Sequence, residues 1–106
     1  MTFQDIVSRA LAIRQKYAQF EKEKYGKSWT TQDLMQGFVG DVGDLSKLVL
    51  AKKGIKNVEN LDKKLKHELA DCLWSIIAIA NEYDIDLEQS FLETMDELEI
   101  KLDAKK

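Results

Sequence analysis

Proline is absent from all 106 residues of the chain. Because proline interrupts helices and is common in the turns of β proteins, its absence favours a helical fold. Apolar residues recur every three or four positions along four segments, which is the period of an α-helix with one buried face. We therefore predict an all-α, four-helix bundle-like fold, formed by one domain over residues 1–106.

Turn and capping residues divide the chain into these four helices. Gly26 interrupts the first apolar pattern and Gly54 follows the second, as glycine often does at the end of a helix. Threonine, asparagine and aspartate precede the patterns and are preferred helix N-caps. The predicted helices run from about Thr2 to Tyr25, from Thr30 or Thr31 to near Lys52, from Asn60 to a break at 84–86, and from Asp86 or Leu87 towards the C-terminus.

Composition and charge exclude several classes of protein. A net charge of −3 disfavours nucleic-acid binding, which requires a basic field. One cysteine, Cys72, cannot form an intrachain disulfide, and one cysteine with one histidine cannot build a Cys/His zinc site. Since we also recognise no signal peptide and no long apolar run, we expect a cytoplasmic protein with no membrane partner.

Two acidic pairs are the candidate chemical groups. Asp41 and Asp44 lie in the second predicted helix, and Glu68 and Asp71 lie in the third. Each pair has i, i+3 spacing, which places both carboxylates on one side of a helix, beside the apolar stripe. Such pairs often only decorate a solvated face. If the two helices pack, however, four carboxylates would repel one another without a cation, and their oxygens suit Mg²⁺, or Mn²⁺ in its place.

The residues around both pairs resemble one protein family. VGDVGDL at residues 39–45 is similar to the E-x-x-E segment of the MazG-like, all-α nucleotide pyrophosphohydrolases, which commonly reads V-G-E-V-G-E-L. ELADCL at residues 68–73 resembles their E-L-A-D-V-L segment. NEYDIDL at residues 81–87 is similar to the opening of their last helix. The resemblance covers roughly residues 29–91.

This resemblance implies an activity, a site and an assembly. The protein would be a hydrolase that converts nucleoside triphosphates, including modified ones, into monophosphate and pyrophosphate. Asp41, Asp44, Glu68 and Asp71 would hold Mg²⁺ and carry the catalysis. The helices would pack in a homodimer or homotetramer. The alternative is a helical oligomerisation or interaction module that has the same fold but no activity.

The chain departs from the family at two places. Asp41 and Asp44 replace glutamates, so the metal must approach the second helix more closely or bind through water. Glycines at positions 37, 40 and 43 have no side chains, so another group can come close to the backbone of that helix. This either permits the approach of the metal or accommodates another helix. Residues 93–99 are acidic where relatives carry groups that hold phosphates. Lys47, Lys53 and Lys56 are the substitutes that we predict to bind substrate.

Aromatic residues and the histidine complete the sequence predictions. Trp29, just before the second helix, is a candidate for stacking on the nucleobase, as aromatic residues in this region do in the family; the alternative is that it covers the core. Trp74 lies on a second apolar side of the third helix, and we predict that a partner chain covers it. His67 is predicted to point away from the acidic pairs. Cys72 is predicted to be a small core residue.

Overall fold

The computed structural model describes residues 1–54 and 57–105, and it folds them into helices without a strand. The helices are α1 (Phe3–Tyr25), α2 (Thr31–Lys52), α3 (Leu61–Glu82) and α4 (Leu87–Ala104). The predicted all-α fold is confirmed, and each helix begins and ends within two residues of the position that the sequence indicates.

Side-chain caps fix where three of the helices begin. Thr2 and Thr30 each accept a hydrogen bond from the backbone N–H three residues later, and an aspartate at that position bonds back. Asp86 accepts from the backbone N–H of Gln89 and caps α4. Asn60 occupies the N-cap position of α3, as predicted, but its side chain makes no capping hydrogen bond. Gly26 ends α1 in the left-handed conformation, with φ of 83°.

The core forms where α2 packs along α3 and α1 covers another side of α3. Its buried apolar residues are small or medium in size: Leu34, Leu48, Ala51, Cys72, Ile77, Ala78 and Ala80. Burial confirms the predicted core position of Cys72. Burial also raises the pKa of the Cys72 thiol, as do the nearby negative charges of Asp41, Glu68 and Asp71, so this thiol is a poor nucleophile.

The second apolar side of α3 is covered from within the chain. The indole N–H of Trp74 donates a hydrogen bond of 2.9 Å to the carbonyl oxygen of Ala10 in α1. The Trp74 ring lies 5.6 Å from the ring of Tyr17, also in α1, measured between centroids. Ile77 and Ala78, on the same side, are buried. The prediction that a partner chain covers this side was wrong, because α1 already does so.

The fourth helix lies mostly outside this packing. None of its residues is buried, although α4 carries apolar side chains along its length. The radius of gyration is 17.0 Å, against about 13 Å for a compact domain of this length. The accessible surface is 8497 Å², against roughly 6,000 Å² for a compact monomer of this mass. The single chain is therefore open, with apolar surface left uncovered.

A helix that crosses a membrane must be long and apolar. In residues 1–54 and 57–105, every helix is too short or too polar to cross a bilayer.

Candidate active site

Carboxylates from α2 and α3 meet where these two helices face each other. Asp41 and Asp44 of α2 and Glu68 of α3 each offer a carboxylate oxygen, and the three oxygens lie within 4.8 Å of one another. We call these three residues the carboxylate cluster. Two ligand oxygens on opposite sides of Mg²⁺ lie about 4 Å apart. The cluster could therefore close on one ion with small side-chain rotations.

Charge repulsion and burial make this cluster a candidate site for a cation. Burial, followed by the negative charges of Asp71 and Asp44, raises the pKa of Asp41. The pKa of Glu68 is raised first by burial and then by Asp41, Asp71 and Asp44. Oxygen Oε2 of Glu68 is buried and has no hydrogen-bond partner within the described part of the chain. A buried carboxylate oxygen without a donor is costly, and a divalent cation would satisfy it.

Asp71, the fourth predicted acid, lies beside the cluster and outside its 4.8 Å group. Its Oδ2 lies 3.0 Å from Nε2 of His67, one turn earlier on α3. Its charge nevertheless contributes to the raised pKa of both Asp41 and Glu68. The structure therefore brings together three of the predicted acids and holds the fourth next to them. The predicted orientation of His67 was wrong, because the side chain turns towards Asp71.

An aromatic cavity of about 410 Å³ adjoins the cluster. It is lined by the aromatic residues Tyr17, Trp29 and Trp74, and also by Asp41 and Asp71. Ligand-binding cavities in proteins are commonly of this size and are lined mainly by apolar and aromatic groups. Trp29, predicted from the sequence to contact the base, thus lies in one cavity with two of the four acids.

A buried ion pair holds Trp29 in this cavity. Glu21 is 6% exposed, and its carboxylate accepts hydrogen bonds of 2.8 and 3.0 Å from the Arg14 guanidinium. Oε1 of Glu21 also accepts a 2.8 Å bond from the backbone N–H of Trp29. The Arg14 hydrogen bonds are the main reason that the pKa of Glu21 is lowered. The Arg14 guanidinium carbon lies 5.8 Å from the centre of the Trp29 ring.

The glycines of α2 have different surroundings. A Cβ atom at Gly37 would lie 3.0 Å from Cζ3 of Trp29, so this glycine makes room for the indole ring. Cβ atoms at Gly40 and Gly43 would have no neighbour within 4 Å among the described residues. Neither of these two glycines is therefore needed for close packing of helices within the chain.

A second cavity, the lysine cleft, has a volume of about 660 Å³ and also adjoins the cluster. Lys47 lines it, together with Asp44 and Glu68. Lys63 and Lys64, from the first turn of α3, line the same cleft. Of the other predicted lysines, Lys53 is the C-cap of α2 and lines neither cavity. Lys56 lies outside the described residues.

Sequence reasoning missed several residues of these two cavities, among them the charged residues Arg14, Glu21, Lys63 and Lys64. Arg14 and Glu21 lie seven positions apart on α1, a spacing common to many solvated helix faces, so their burial had no sequence signal. Lys63 and Lys64 had a weak signal, because they lie in the turn that precedes Glu68 on α3.

These features define a class of protein, namely an all-α protein with a candidate divalent-metal site formed by acidic pairs on two facing helices. Residues 30–101 match the model of the MazG nucleotide pyrophosphohydrolase domain, and the chain belongs to this family. No curated protein and no solved structure matches the chain. The family as a whole points to nucleotide pyrophosphohydrolase activity.

Proposed function

We propose that the protein is a Mg²⁺-dependent nucleoside triphosphate pyrophosphohydrolase, which converts NTP or dNTP and water into the monophosphate and pyrophosphate. The observation that carries this proposal is the carboxylate cluster, in which Oε2 of Glu68 is buried without a donor. The match to the MazG family over residues 30–101 supports the same reaction.

Asp41, Asp44 and Glu68 would hold the metal, with Asp71 beside them as a fourth ligand or as a proton acceptor. When bound, Mg²⁺ supplies a Lewis acid for the phosphoryl oxygens and helps to activate water. The carboxylates fit it because they are hard oxygen ligands that repel one another without a cation. In the overall reaction, water attacks the α-phosphorus, pyrophosphate leaves, and a carboxylate of the site accepts the proton of the water.

We propose that the nucleoside of the substrate occupies the aromatic cavity. Tyr17, Trp29 and Trp74 offer the aromatic surface on which a base stacks, and Asp41, which also lines the cavity, places it next to the cluster. Trp29 would form the stacking wall, because the Glu21 carboxylate fixes its backbone and Gly37 leaves space for its ring.

We also propose that the active form is a homo-oligomer, either a dimer or a tetramer. The single chain exposes about 2,500 Å² more surface than a compact monomer of its mass would. A standard interface buries about 800 Å² on each partner. The excess is therefore large enough for an extensive interface between copies of this chain.

Charge-neutralising variants test the activity. Glu68→Gln and Asp71→Asn keep the size of the side chain and remove its negative charge. We expect each to reduce pyrophosphate release from a panel of ordinary and modified nucleotides sharply, at least about 100-fold, while circular dichroism shows unchanged helicity. Asp41→Asn and Asp44→Asn should also reduce it. Glu82→Gln, at the exposed end of α3, is the matched control and should retain wild-type activity.

Metal binding tests the site independently of turnover. Mg²⁺ or Mn²⁺ should raise the melting temperature of the wild type, more so with nucleotide present, because a ligand of the folded state stabilises it. Glu68→Gln should show a smaller rise. If millimolar metal changes neither protein and no nucleotide is hydrolysed, the inactive interaction module replaces the enzyme as the function of this fold.

A further inference from the structure

The carboxylate cluster contributes residues to two cavities of different chemical character. Asp41 faces the aromatic cavity, whereas Asp44 and Glu68 face the lysine cleft. A nucleoside triphosphate has a flat apolar end and a polyanionic end, joined at the α-phosphate. The arrangement of the two cavities matches this order.

The cations of the lysine cleft are free to bind an anion. Within residues 1–54 and 57–105, the ammonium groups of Lys47, Lys63 and Lys64 form no ion pair or hydrogen bond, although Lys52 pairs with Asp62 at 2.6 Å. In the aromatic cavity, by contrast, the charge of Arg14 is already balanced by Glu21. The lysine cleft is therefore the side of the cluster with uncompensated positive charge.

The two acids on this wall do not cancel the three lysines once a divalent cation is bound. Asp44 and Glu68 belong to the cluster, which also contains Asp41, so a divalent cation held there balances two of the three negative charges. Lys63 and Lys64 also lie in the first turn of α3, where the positive end of the helix adds to the potential. With the metal bound, an anion in the cleft meets cations on several sides.

We propose that the lysine cleft is the subsite for the β- and γ-phosphates and, after the reaction, for the pyrophosphate leaving group. The triphosphate then crosses the carboxylate cluster in one direction, from the nucleoside in the aromatic cavity to the terminal phosphates at the start of α3. This inference rests on the proposed function for its substrate. The cleft itself would bind inorganic pyrophosphate together with Mg²⁺ whether or not the protein is active.

The test measures pyrophosphate and nucleoside monophosphate binding separately, by calorimetry on the full chain with Mg²⁺ present. The double variant Lys63→Gln/Lys64→Gln should weaken pyrophosphate binding about 100-fold or more, because each charged hydrogen bond contributes about tenfold to 100-fold and two are lost. It should change the affinity for nucleoside monophosphate by less than about twofold, which is far less than the loss of one such bond would cause. Trp29→Leu should instead weaken nucleoside monophosphate binding and leave pyrophosphate binding nearly unchanged. Lys66→Gln, which lies on α3 outside the cleft, is the matched control and should change neither affinity.

The outcomes separate this inference from the proposed function. If the wild type hydrolyses nucleotides but the double variant binds pyrophosphate as well as wild type, the lysine cleft is not the subsite and the enzyme stands. If the double variant loses pyrophosphate binding and the wild type hydrolyses no nucleotide, the result supports the pyrophosphate subsite and contradicts the proposed hydrolase activity. The three lysines are exposed, so these variants should fold as the wild type does, with the same circular dichroism spectrum.

Discussion

Arg14 lies two turns before Glu21 on α1 and donates two hydrogen bonds to its carboxylate, Nη1 to Oε2 at 3.0 Å and Nη2 to Oε1 at 2.8 Å. The pair is mostly buried, with side-chain exposures of 16% and 8%. A bidentate pair of this kind has a fixed geometry. Since Glu21 also accepts from the backbone N–H of Trp29, the pair joins α1 to the start of α2 and fixes a wall of the aromatic cavity.

The first prediction is that removing one partner of this pair is costly. Glu21→Ala leaves the Arg14 charge buried and uncompensated, so we expect the free energy of unfolding to fall by about 3–5 kcal/mol. The exposed Glu23→Ala on the same helix should change it by less than about 0.5 kcal/mol. Urea denaturation at neutral pH measures both. Equal effects of the two variants on the free energy of unfolding would show that the pair stabilises the fold no more than an exposed glutamate does.

The second prediction uses the raised pKa of Glu68. A folded-state pKa above the unfolded value of 4.5 means that the native protein holds this proton more tightly than the unfolded chain. The stabilisation is therefore fully present below pH 4.5 and is lost as pH rises through the raised pKa. Glu68→Gln imitates the protonated form. Without metal, the variant should become progressively more stable than wild type as pH rises above 4.5.

Metal should reverse this difference between the two proteins. Adding Mg²⁺ at neutral pH should stabilise the wild type more than Glu68→Gln, because the cation removes the repulsion that the variant lacks. Denaturation curves across the pH range, with and without Mg²⁺, provide the measurement. Glu82→Gln should follow the wild type throughout. A stability difference that stays constant above pH 4.5 would contradict the prediction.

The third prediction separates two glycines of α2. Alanine in the interior of a helix is about 1 kcal/mol more favourable than glycine. Gly40→Ala should gain about this much stability, since nothing lies within 4 Å of its new Cβ atom. At Gly37 the Cβ atom would lie 3.0 Å from the Trp29 ring, so the ring must shift. Gly37→Ala should gain less stability and weaken nucleoside monophosphate binding, which calorimetry measures. Weaker binding in Gly40→Ala alone would contradict the assigned cavity.

The sequence predicted the parts of the fold that depend on local chemistry. Apolar spacing and capping residues such as Thr30 determine where helices begin, and these signals lie within a few residues of one another. The i, i+3 spacing likewise placed Asp41 and Asp44 on one side of α2. Two such pairs meet only because α2 packs along α3, which the spacing left as a condition, and the family resemblance implied only that the four acids hold one metal site.

Tertiary relationships were the parts that local patterns could not predict. Helical spacing showed that α3 has two apolar sides, but it could not show that α1 covers the side of Trp74. Nor could it show that Glu21 is buried, because the same spacing of Arg14 and Glu21 is typical of an exposed face. The orientation of His67 towards Asp71 depends on a side-chain rotamer, which the helical wheel does not determine.

The apolar surface that remains exposed therefore lies on other parts of the chain, and not at Trp74 as predicted. Leu69 and Leu73 of α3 are 53% and 42% exposed, and Leu98 of α4 is 52% exposed. An apolar surface of this extent on a chain that remains this open is typical of an interface. If a second copy covers α4, the oligomer is held partly by this helix.

The fourth prediction follows from this placement. Leu98→Glu puts a charge on α4, which would be buried and unpaired in an oligomer but solvated in a monomer. We expect the wild type to be a dimer or tetramer by light scattering at micromolar concentration, and the variant to dissociate. Glu97→Gln, the adjacent polar position, should leave the mass unchanged. Trp74→Glu should lower the helicity of the chain itself, because Trp74 packs on α1. A monomeric wild type would rule out the assembly and leave α4 as an exposed helix.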